Sequence, residues 1–582
     1  MKNLILQLKA CFDAALAQAF PDLPSQDRIL EIAPSSQEKF GHYQFNSAMR
    51  LAKLVQSHPR QVAEKIVAHL ERREQFISQL EVAGPGFINI TLDPHFLAKG
   101  VDELVRDPHL GIDLPEKVQK VIVDFSSPNV AKEMHVGHIR STIIGDSLAR
   151  LFEFLGHDVL RLNHIGDWGT AFGMLIAYMK EEAPGVLKGS QNSDLPHLMA
   201  WYRASKKKFD EDAEFKKRAQ LEVVALQQGN AEAQQAWLII CQISRKAYQE
   251  IYDLLDIKII ERGESFYNPF LADVVADLEQ KGLIQLSDGA KCVFLEGFQN
   301  REGEPLPMIL KKSDGGYNYA TTDMAAIRHR IEVEKADRIL YVIDAGQATH
   351  LQMVFKAAEK AGYLDSTKVR VDHVAFGLVL GPDGKKFRTR SGETERLIDL
   401  LNGAIDEADQ ILQERNPTMS SAERHQLAKA LGIGAIKYAD LSCNRVGDYS
   451  FSYERMLRFE GNTAAFLMYS YVRVGGIKRR LQIDPVAVMS HTHIQLEHPS
   501  EVALGLHLLR FSEALSSAAD EMLPNRITDY LYGLAEKFGA FFRDCRVEGT
   551  LQQNSRLLLA EATARVMKQG LDLLGVPTVE RM

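Results

Sequence analysis

Asp124-Phe-Ser-Ser-Pro-Asn-Val-Ala-Lys-Glu-Met-His-Val-Gly-His-Ile-Arg-Ser-Thr-Ile-Ile-Gly-Asp146 is the stretch on which the reading of this fold turns. Val118 to Phe125 alternates and then runs apolar through Val121, Ile122 and Val123, the pattern of a strand entering a buried parallel sheet. Ser126, Ser127, Pro128 and Asn129 are turn formers, so a loop follows the strand. From His138 onward Ile139, Ile143, Ile144, Leu148, Leu151, Phe152 and Leu155 recur at helical spacing, and Gly156 stands where that helix ends. Asp158 to Asn163 reads as the next strand. The unit is therefore strand, loop, helix, strand, a half-Rossmann element whose helix N-terminus offers free N–H groups to phosphate oxygens. No G-x-G-x-x-G turn follows the strand, which favours a mononucleotide over a dinucleotide. His135 and His138, with Gly137 between them, place two imidazoles where a phosphate chain can approach the backbone.

Two plainer readings of the paired histidines stand beside that one. A metal site needs further ligands, and the five cysteines, Cys11, Cys241, Cys292, Cys443 and Cys545, are scattered without a Cys-x-x-Cys or His-Glu-x-x-His pattern, so no structural metal is expected. Two surface histidines at a helix start are the other reading. Composition sets wider bounds. A chain of 582 residues is too long for one core and suggests three or four domains. Hydrophobic content of 45% with 25% charged residues is that of a water-soluble globular chain, and no apolar run reaches the length of a bilayer span, so no membrane contact is expected. Lys2, Lys9 and Asp13 interrupt the apolar start, which reads as an amphipathic helix rather than a signal peptide. The unpatterned cysteines fit a reducing compartment, and the cytoplasm is the simplest location.

A net charge of −8 argues mildly against a nucleic-acid partner, so any such contact must use local basic clusters. In Lys206 to Arg218 the acids Asp210, Glu211, Asp212 and Glu214 are interleaved, the pattern of a solvated helix face. Around Arg473, Lys478, Arg479 and Arg480 no acid intervenes, which makes that patch the better polyanion surface. Residues 1 to 110 combine helical patterns with a Gly-Pro-Gly break and a strand, Phe87 to Leu92, and read as a small α+β domain. Between Met174 and Tyr252 the pattern is long, polar and helical, an insertion between the halves of the sheet. Parallel-strand patterning returns at Asp337 to Asp344 and at Val371 to Leu380, and the chain after Gly392 is almost wholly helical.

Ser126 to Asp146 closely resembles the first signature of class I aminoacyl-tRNA synthetases, in the form seen in arginyl-tRNA synthetases, and Asn163-His-Ile-Gly-Asp-Trp-Gly-Thr170 resembles the block that follows it. Gly41-His-Tyr-Gln-Phe-Asn46 and Gly84-Pro-Gly-Phe-Ile-Asn89 are similar to the family's extra N-terminal domain, Glu460-Gly-Asn-Thr463 to the entrance of its helical C-terminal domain, and Glu580-Arg-Met582 to its chain end. The resemblance implies an α/β Rossmann-like catalytic domain with a parallel sheet at residues 111–450, carrying an insertion at about 175–252, an N-terminal α+β domain at 1–110 that contacts tRNA, and an all-α anticodon-binding domain at 451–582. It implies an arginine–tRNA ligase. Arginine is activated by ATP, taken with Mg2+, to arginyl-adenylate and passed to the 2′-hydroxyl of the terminal adenosine of tRNA. Activation needs bound tRNA, and a monomer is expected.

By the same resemblance His135, Gly137 and His138 bind ATP, and Lys132 reaches the same phosphates. The family's second signature corresponds to Gly381-Pro-Asp-Gly-Lys-Lys-Phe-Arg-Thr-Arg-Ser-Gly392, which departs from Lys-Met-Ser-Lys-Ser; Lys385 and Lys386 are its candidate catalytic lysines, with Arg388 and Arg390 adding charge. A guanidinium substrate calls for facing acids. Asp323 is the first choice, four residues from Tyr319 and so on one face of a helix; Glu264 is a second acid or a loop cap. Asn129 and Gln347 match positions that hold the amino and carboxylate ends, with Ser127 assisting. The tRNA-binding candidates are Arg473, Lys478, Arg479 and Arg480; among nearby aromatics, Tyr469 and Tyr471 either stack bases or pack, and Phe466 reads as core. A nucleotidylyltransferase, or a synthetase for another amino acid, would share His-x-Gly-His but has no use for paired acids, and a non-catalytic relative would be expected to lose His135 or His138.

Overall fold

The computed structural model describes residues 3–70, 76–381, 383–385, 387 and 396–582. The chain divides into two compact units, one of Pro115–Arg458 with Leu573–Val576, the other of Met1–Leu114 with Phe459–Asp572 and Pro577–Met582.

The first unit is built on a five-stranded parallel sheet of β1 (Lys120–Asp124), β2 (Asp158–Asn163), β3 (Ile260–Glu261), β4 (Arg338–Tyr341) and β5 (Arg370–His373), in the order β5-β4-β1-β2-β3. Val121, Ile122 and Val123 are fully buried, as their unbroken apolar run predicts for a strand covered on both faces. The strand begins at Lys120 rather than Val118, which is exposed. The stretch Val371 to Leu380, expected as one strand, is two: β5 pairs with β4, and Val379–Leu380 pairs separately with Tyr449–Ser450. From β1 the chain proceeds one way to β2 and β3 and the other way to β4 and β5. The order therefore reverses between β1 and β4, and the loops leaving their C-terminal ends part to form a crevice.

Helix α1 (Val136–Phe154) follows β1 and ends as predicted, with Gly156 at φ +87°. It is enclosed rather than one-sided: Arg140 is buried in it, donating to Asp440 at 3.2 Å and to the Gly447 carbonyl at 2.8 Å. Between β2 and β3 the described elements are all helices, among them α2 (Leu195–Glu211) and α3 (Ala231–Leu254). Lys208 and Arg218 both pair with Glu181, outside this charge run, at 2.5 and 2.9 Å, and Lys217 pairs with the interleaved Glu214 at 2.9 Å. A three-stranded antiparallel sheet, Gln285–Ser287, Ala290–Gln299 and Pro305–Lys311, leads into α4 (Tyr319–Glu332), and α5 (Ala348–Lys360) follows β4. The cluster of Val274, Leu278, Val293, Leu310, Met324, Ile327, Ile339 and Val354 buries one face of the sheet beneath these elements.

In the second unit Ile32–Pro34, Tyr43–Phe45, Phe87–Leu92 and Ile77–Ala83 form an antiparallel sheet in that order. The two ends of the chain share one interior. Tyr43 is fully buried and donates to Glu513 at 2.7 Å, while the Arg510 guanidinium lies 4.6 Å from its ring and donates to the His42 carbonyl at 2.5 Å. Asp102 accepts from Arg106, from the His493 ring and from the Ile494 amide. The helices of this unit include α6 (Ala464–Leu481) and α7 (Asn525–Asp544). Among the described residues no helix is long and apolar enough to cross a membrane.

Candidate active site

The loop between β1 and α1 is held in an unusual backbone shape. Ser126, Ser127 and Ala131 have φ of 72°, 49° and 60°, a region that side chains with a Cβ seldom occupy and that persists only when the surroundings over-determine it. Here they do. The Ser126 amide donates to Ser141 Oγ at 2.9 Å and the Ser127 amide to Asn163 Oδ1 at 2.9 Å. Ser244, Tyr248 and Tyr252, at spacing four along α3, line one face of that helix and take the rest. Ser244 Oγ accepts from the Ala131 amide, Tyr248 donates to the carbonyls of Asn129 and Lys132, and Tyr252 meets Ser126 Oγ at 2.8 Å and Asn163 at 3.0 Å. The last helix of the insertion thus props the loop. On its other side Gly166 lies so close that an added Cβ would stand 2.0 Å from Asn129 Oδ1, which accounts for glycine in the Asn163–Thr170 block.

At the end of that loop the two histidines cap α1. His135 Nδ1 accepts from the Gly137 amide at 3.0 Å, and His138 Nδ1 accepts from the His135 amide at 3.1 Å, a reciprocal box built from imidazoles. Because each Nδ1 accepts, the proton of the neutral ring sits on Nε2, and both side chains present an Nε2–H donor. Burial first, then the neighbouring His135 and Lys132, pushes His138 down to about 4, so it donates as a neutral ring at pH 7. Gly137 is required by the same packing, since a Cβ there would lie 2.7 Å from the His135 ring. A cavity of about 550 Å³ opens beside them, lined by Asn129, Lys132, Glu133, His135 and His138 from the loop, by Pro196, Met199 and Arg203 from α2, and by Arg396. Arg396 is held by Asp399 and reaches Glu133 at 3.4 Å.

The acids expected to face a guanidinium lie around the C-terminal ends of the strands. Tyr319 and Asp323 occupy adjacent turns of α4 and converge on one residue of α5: His350 Nε2 lies 2.6 Å from Asp323 Oδ2, and its ring centre is 4.7 Å from that of Tyr319. Tyr319 is 58% exposed, so it is not a core tyrosine. Glu264 sits in the turn Glu264–Tyr267 after β3, where burial first, then the charges of Asp323 and Asp167, push its carboxyl up to about 7. That turn is clamped by Asp167, which accepts from the Ser265 amide at 2.8 Å and from Ser265 Oγ at 2.6 Å and leaves no room for a Cβ at Gly263. Ser127 Oγ donates to Asp124 at 3.2 Å, and Asp124 forms a buried pair with Arg330 at 2.8 Å. Gln347 lies exposed at the start of α5. His350 and Asp124 were not singled out from the sequence as site residues, and Arg203 was legible there only as the start of the basic run Arg203 to Lys208; His350 had a signal, standing three residues after Gln347.

Of the second-signature lysines, Lys385 is exposed, its amide donating to Asp383 at 3.1 Å, and it does not line the cavity beside the histidines. Lys386, Arg388 and Arg390 lie outside the described residues. In α6 the basic patch is less free than its sequence suggests: Lys478 pairs with Glu561 at 2.7 Å and Arg479 donates to the Glu580 carbonyl at 3.3 Å. Arg480 is exposed, and the Arg473 guanidinium covers the rings of Tyr469 and Phe542, at 4.7 and 5.5 Å. Phe466 is half-buried beside Tyr532.

Comparison with known proteins matches residues 101–453 to the catalytic domain of class I tRNA synthetases (R), 467–582 to the DALR anticodon binding domain, and 6–92 to the arginyl tRNA synthetase N terminal domain. The chain is 70% identical to the arginine–tRNA ligase of Protochlamydia amoebophila and 50% identical to that of Trichodesmium erythraeum, each alignment covering 100% of both chains. Among solved structures it is similar to the arginyl-tRNA synthetase of Plasmodium falciparum, with a TM-score of 0.87 at 32% identity over 100% of both chains.

Proposed function

The chain belongs to the arginyl-tRNA synthetase family, and on that basis we propose how its own residues divide the work. The reaction is that of an arginine–tRNA ligase of class I: the arginine carboxylate attacks the α-phosphorus of ATP, pyrophosphate leaves, and the aminoacyl group passes to the 2′-hydroxyl of the terminal adenosine of tRNA. The observation that carries the division of roles is the reciprocal histidine cap, which fixes two Nε2–H donors at the N-terminus of α1 beside a cationic cavity.

His135 and His138 hold the ATP phosphates as charge builds on them, with the Gly137 backbone allowing close approach and Lys132 adding positive charge from the cavity wall. Lys385 and Lys386 belong to the second signature and complete the phosphate site. Mg2+ would arrive with ATP and would neutralise charge on its phosphates; the one carboxylate among the described residues of the cavity, Glu133, is engaged by Arg396. Asp323 takes the guanidinium, held in orientation by His350, with Tyr319 over it and Glu264 as the second acid. Asn129 and Ser127, on the loop fixed by Asn163 and α3, and Gln347, at the start of α5, hold the substrate's amino and carboxylate ends.

Residues 1–110 and 451–582 are the tRNA-contacting parts, the latter reading the anticodon, with Arg473 and Arg480 the basic residues best placed for tRNA phosphates and Lys478 and Arg479 partly engaged within the protein. The protein works as a cytoplasmic monomer; its five cysteines are scattered along the sequence without pattern, which supports a reducing compartment. Incubation with ATP, tRNA and each amino acid in turn tests the assignment. Charging is expected with arginine alone, and arginine-dependent ATP–pyrophosphate exchange only when tRNA is present. Exchange without tRNA would remove the tRNA requirement, and charging with an uncharged amino acid would remove the acid pair's role.

A further inference from the structure

Three residues of the insertion helix α2 look into the cavity beside the paired histidines. Pro196, Met199 and Arg203 are spaced three and four apart and so share one face of the helix, and they line the cavity together with Asn129, Lys132, His135 and His138. The first two supply apolar wall and the third a guanidinium. Arg203 has no ion-pair or hydrogen-bond partner among the described residues. Its helical neighbours three and four positions away are Met199, Ala200, Lys206 and Lys207, none of them acidic. The basic residues further along the insertion differ, since Lys208, Lys217 and Arg218 are all neutralised by glutamates.

The charges in the cavity show why such a residue matters. His138 is a neutral donor at pH 7, because burial first, then His135 and Lys132 beside it, hold it low. Arg396 is spent on Asp399 and Glu133. Among the other described residues of the loop side, Lys132 alone would then face a triphosphate tail whose terminal phosphate by itself carries about −2. A guanidinium from α2 supplies a second full charge and a planar pair of donors suited to phosphate oxygens.

We propose that Arg203 of α2 binds the β- and γ-phosphates of ATP, so that the insertion forms the outer wall of the pyrophosphate site. This rests on the assignment of the paired histidines to ATP. Leaving pyrophosphate is held between Lys132 on the loop and Arg203 on the helix, and the same place receives pyrophosphate when the reaction runs backward. The insertion then acts twice on the site, through α3, which props the loop, and through α2, which contributes charge.

The test is ATP–pyrophosphate exchange with arginine and tRNA present, comparing wild type, Arg203→Ala, Arg203→Lys and His138→Ala, with tRNA dissociation constants measured alongside. Arg203→Ala is expected to raise the KM for ATP and for pyrophosphate together by about tenfold to a hundredfold, with tRNA affinity unchanged. Arg203→Lys is expected to recover part of the loss, since charge is kept and the two-pronged geometry is not. Because Arg203 is exposed, the variants should melt with the wild type, and a circular dichroism melt checks this. Unchanged ATP and pyrophosphate constants in Arg203→Ala, while His138→Ala is impaired, would overturn the inference and leave the histidine assignment standing. A weakened tRNA affinity with ATP constants unchanged would overturn it by making Arg203 a tRNA contact. Normal exchange in His138→Ala would overturn the histidine assignment on which the inference rests.

Discussion

Replacing Asp323 with Asn should produce a compound effect whose two parts have opposite sign. Asp323 and Glu264 are two acids whose charges oppose each other, and this opposition, after burial and ahead of the charge of Asp167, lifts Glu264 to about 7. On the proposed assignment arginine binds to the ionised pair. Below about pH 7 Glu264 takes up a proton that must be lost on binding, so the KM for arginine rises as the pH falls and levels off above that value. The substitution keeps the size of the side chain and removes its charge. A hydrogen bond to a charged group is worth about 1.5–3 kcal/mol, and Asp323 keeps 26% of its side-chain exposure, which screens part of this, so about 2 kcal/mol and a KM some 30-fold higher are expected. The compensation is smaller. With a neutral amide in place of the Asp323 carboxylate, one of the causes raising Glu264 disappears and its proton is lost at lower pH; at pH 7, where the wild-type group is half ionised, this returns only about a factor of two. The assay is the KM for arginine in aminoacylation between about pH 6 and pH 8.5. The variant should show a raised plateau whose upturn at acid pH has moved to lower pH. A raised KM with the wild-type pH profile would refute the coupling of the two acids, and an unaltered KM would make Asp323 a structural partner of His350 alone.

His138→Ala should slow arginine activation by roughly 10²-fold or more, because the lost donor acts on charge that develops in the transition state; single-turnover adenylate formation checks it, and wild-type turnover would return the residue to a capping role. Loss of the cap alone should cost only about 1 kcal/mol, so the fold is expected to survive, which a thermal melt reads directly. Lys132→Ala should impair activation more than Lys385→Ala, since the first lines the cavity beside the histidines and the second does not; the reverse order of single-turnover rates would move the principal phosphate lysine to the second signature. In the helical domain Arg473→Ala and Arg480→Ala should each flatten the salt dependence of tRNA binding by nearly one unit of log–log slope, while Lys478→Ala, whose charge already answers Glu561, should change it far less; equal slopes in all three variants would refute this division of the patch.

The strand, loop and helix around the paired histidines were legible in the sequence because everything that makes them is local. An apolar run, a cluster of turn formers, helical spacing and a glycine stop act within a few residues of one another, and the structure shows a buried β1, a capped α1 and Gly156 at positive φ accordingly. The same holds for Tyr319 and Asp323, whose spacing of four puts them on one face of α4 wherever that helix goes. The antiparallel sheet before α4 was not picked out, since its short strands carry no alternation strong enough to stand apart from their surroundings. What escaped the sequence is whatever depends on a distant partner. His350 meets Asp323 across 27 residues and Lys478 meets Glu561 across 83, so a patch without an acid in sequence has one in space. Tyr43 and Glu513, 470 residues apart, close the two ends of the chain into one unit. The left-handed serines of the loop are held by Ser141, Asn163 and a face of α3 that arrives only when the insertion folds back. Periodicity and turn chemistry decide what each segment becomes because they act on neighbouring residues; which side chains share a cavity is decided by packing, in which register and burial bring together groups that no spacing relates.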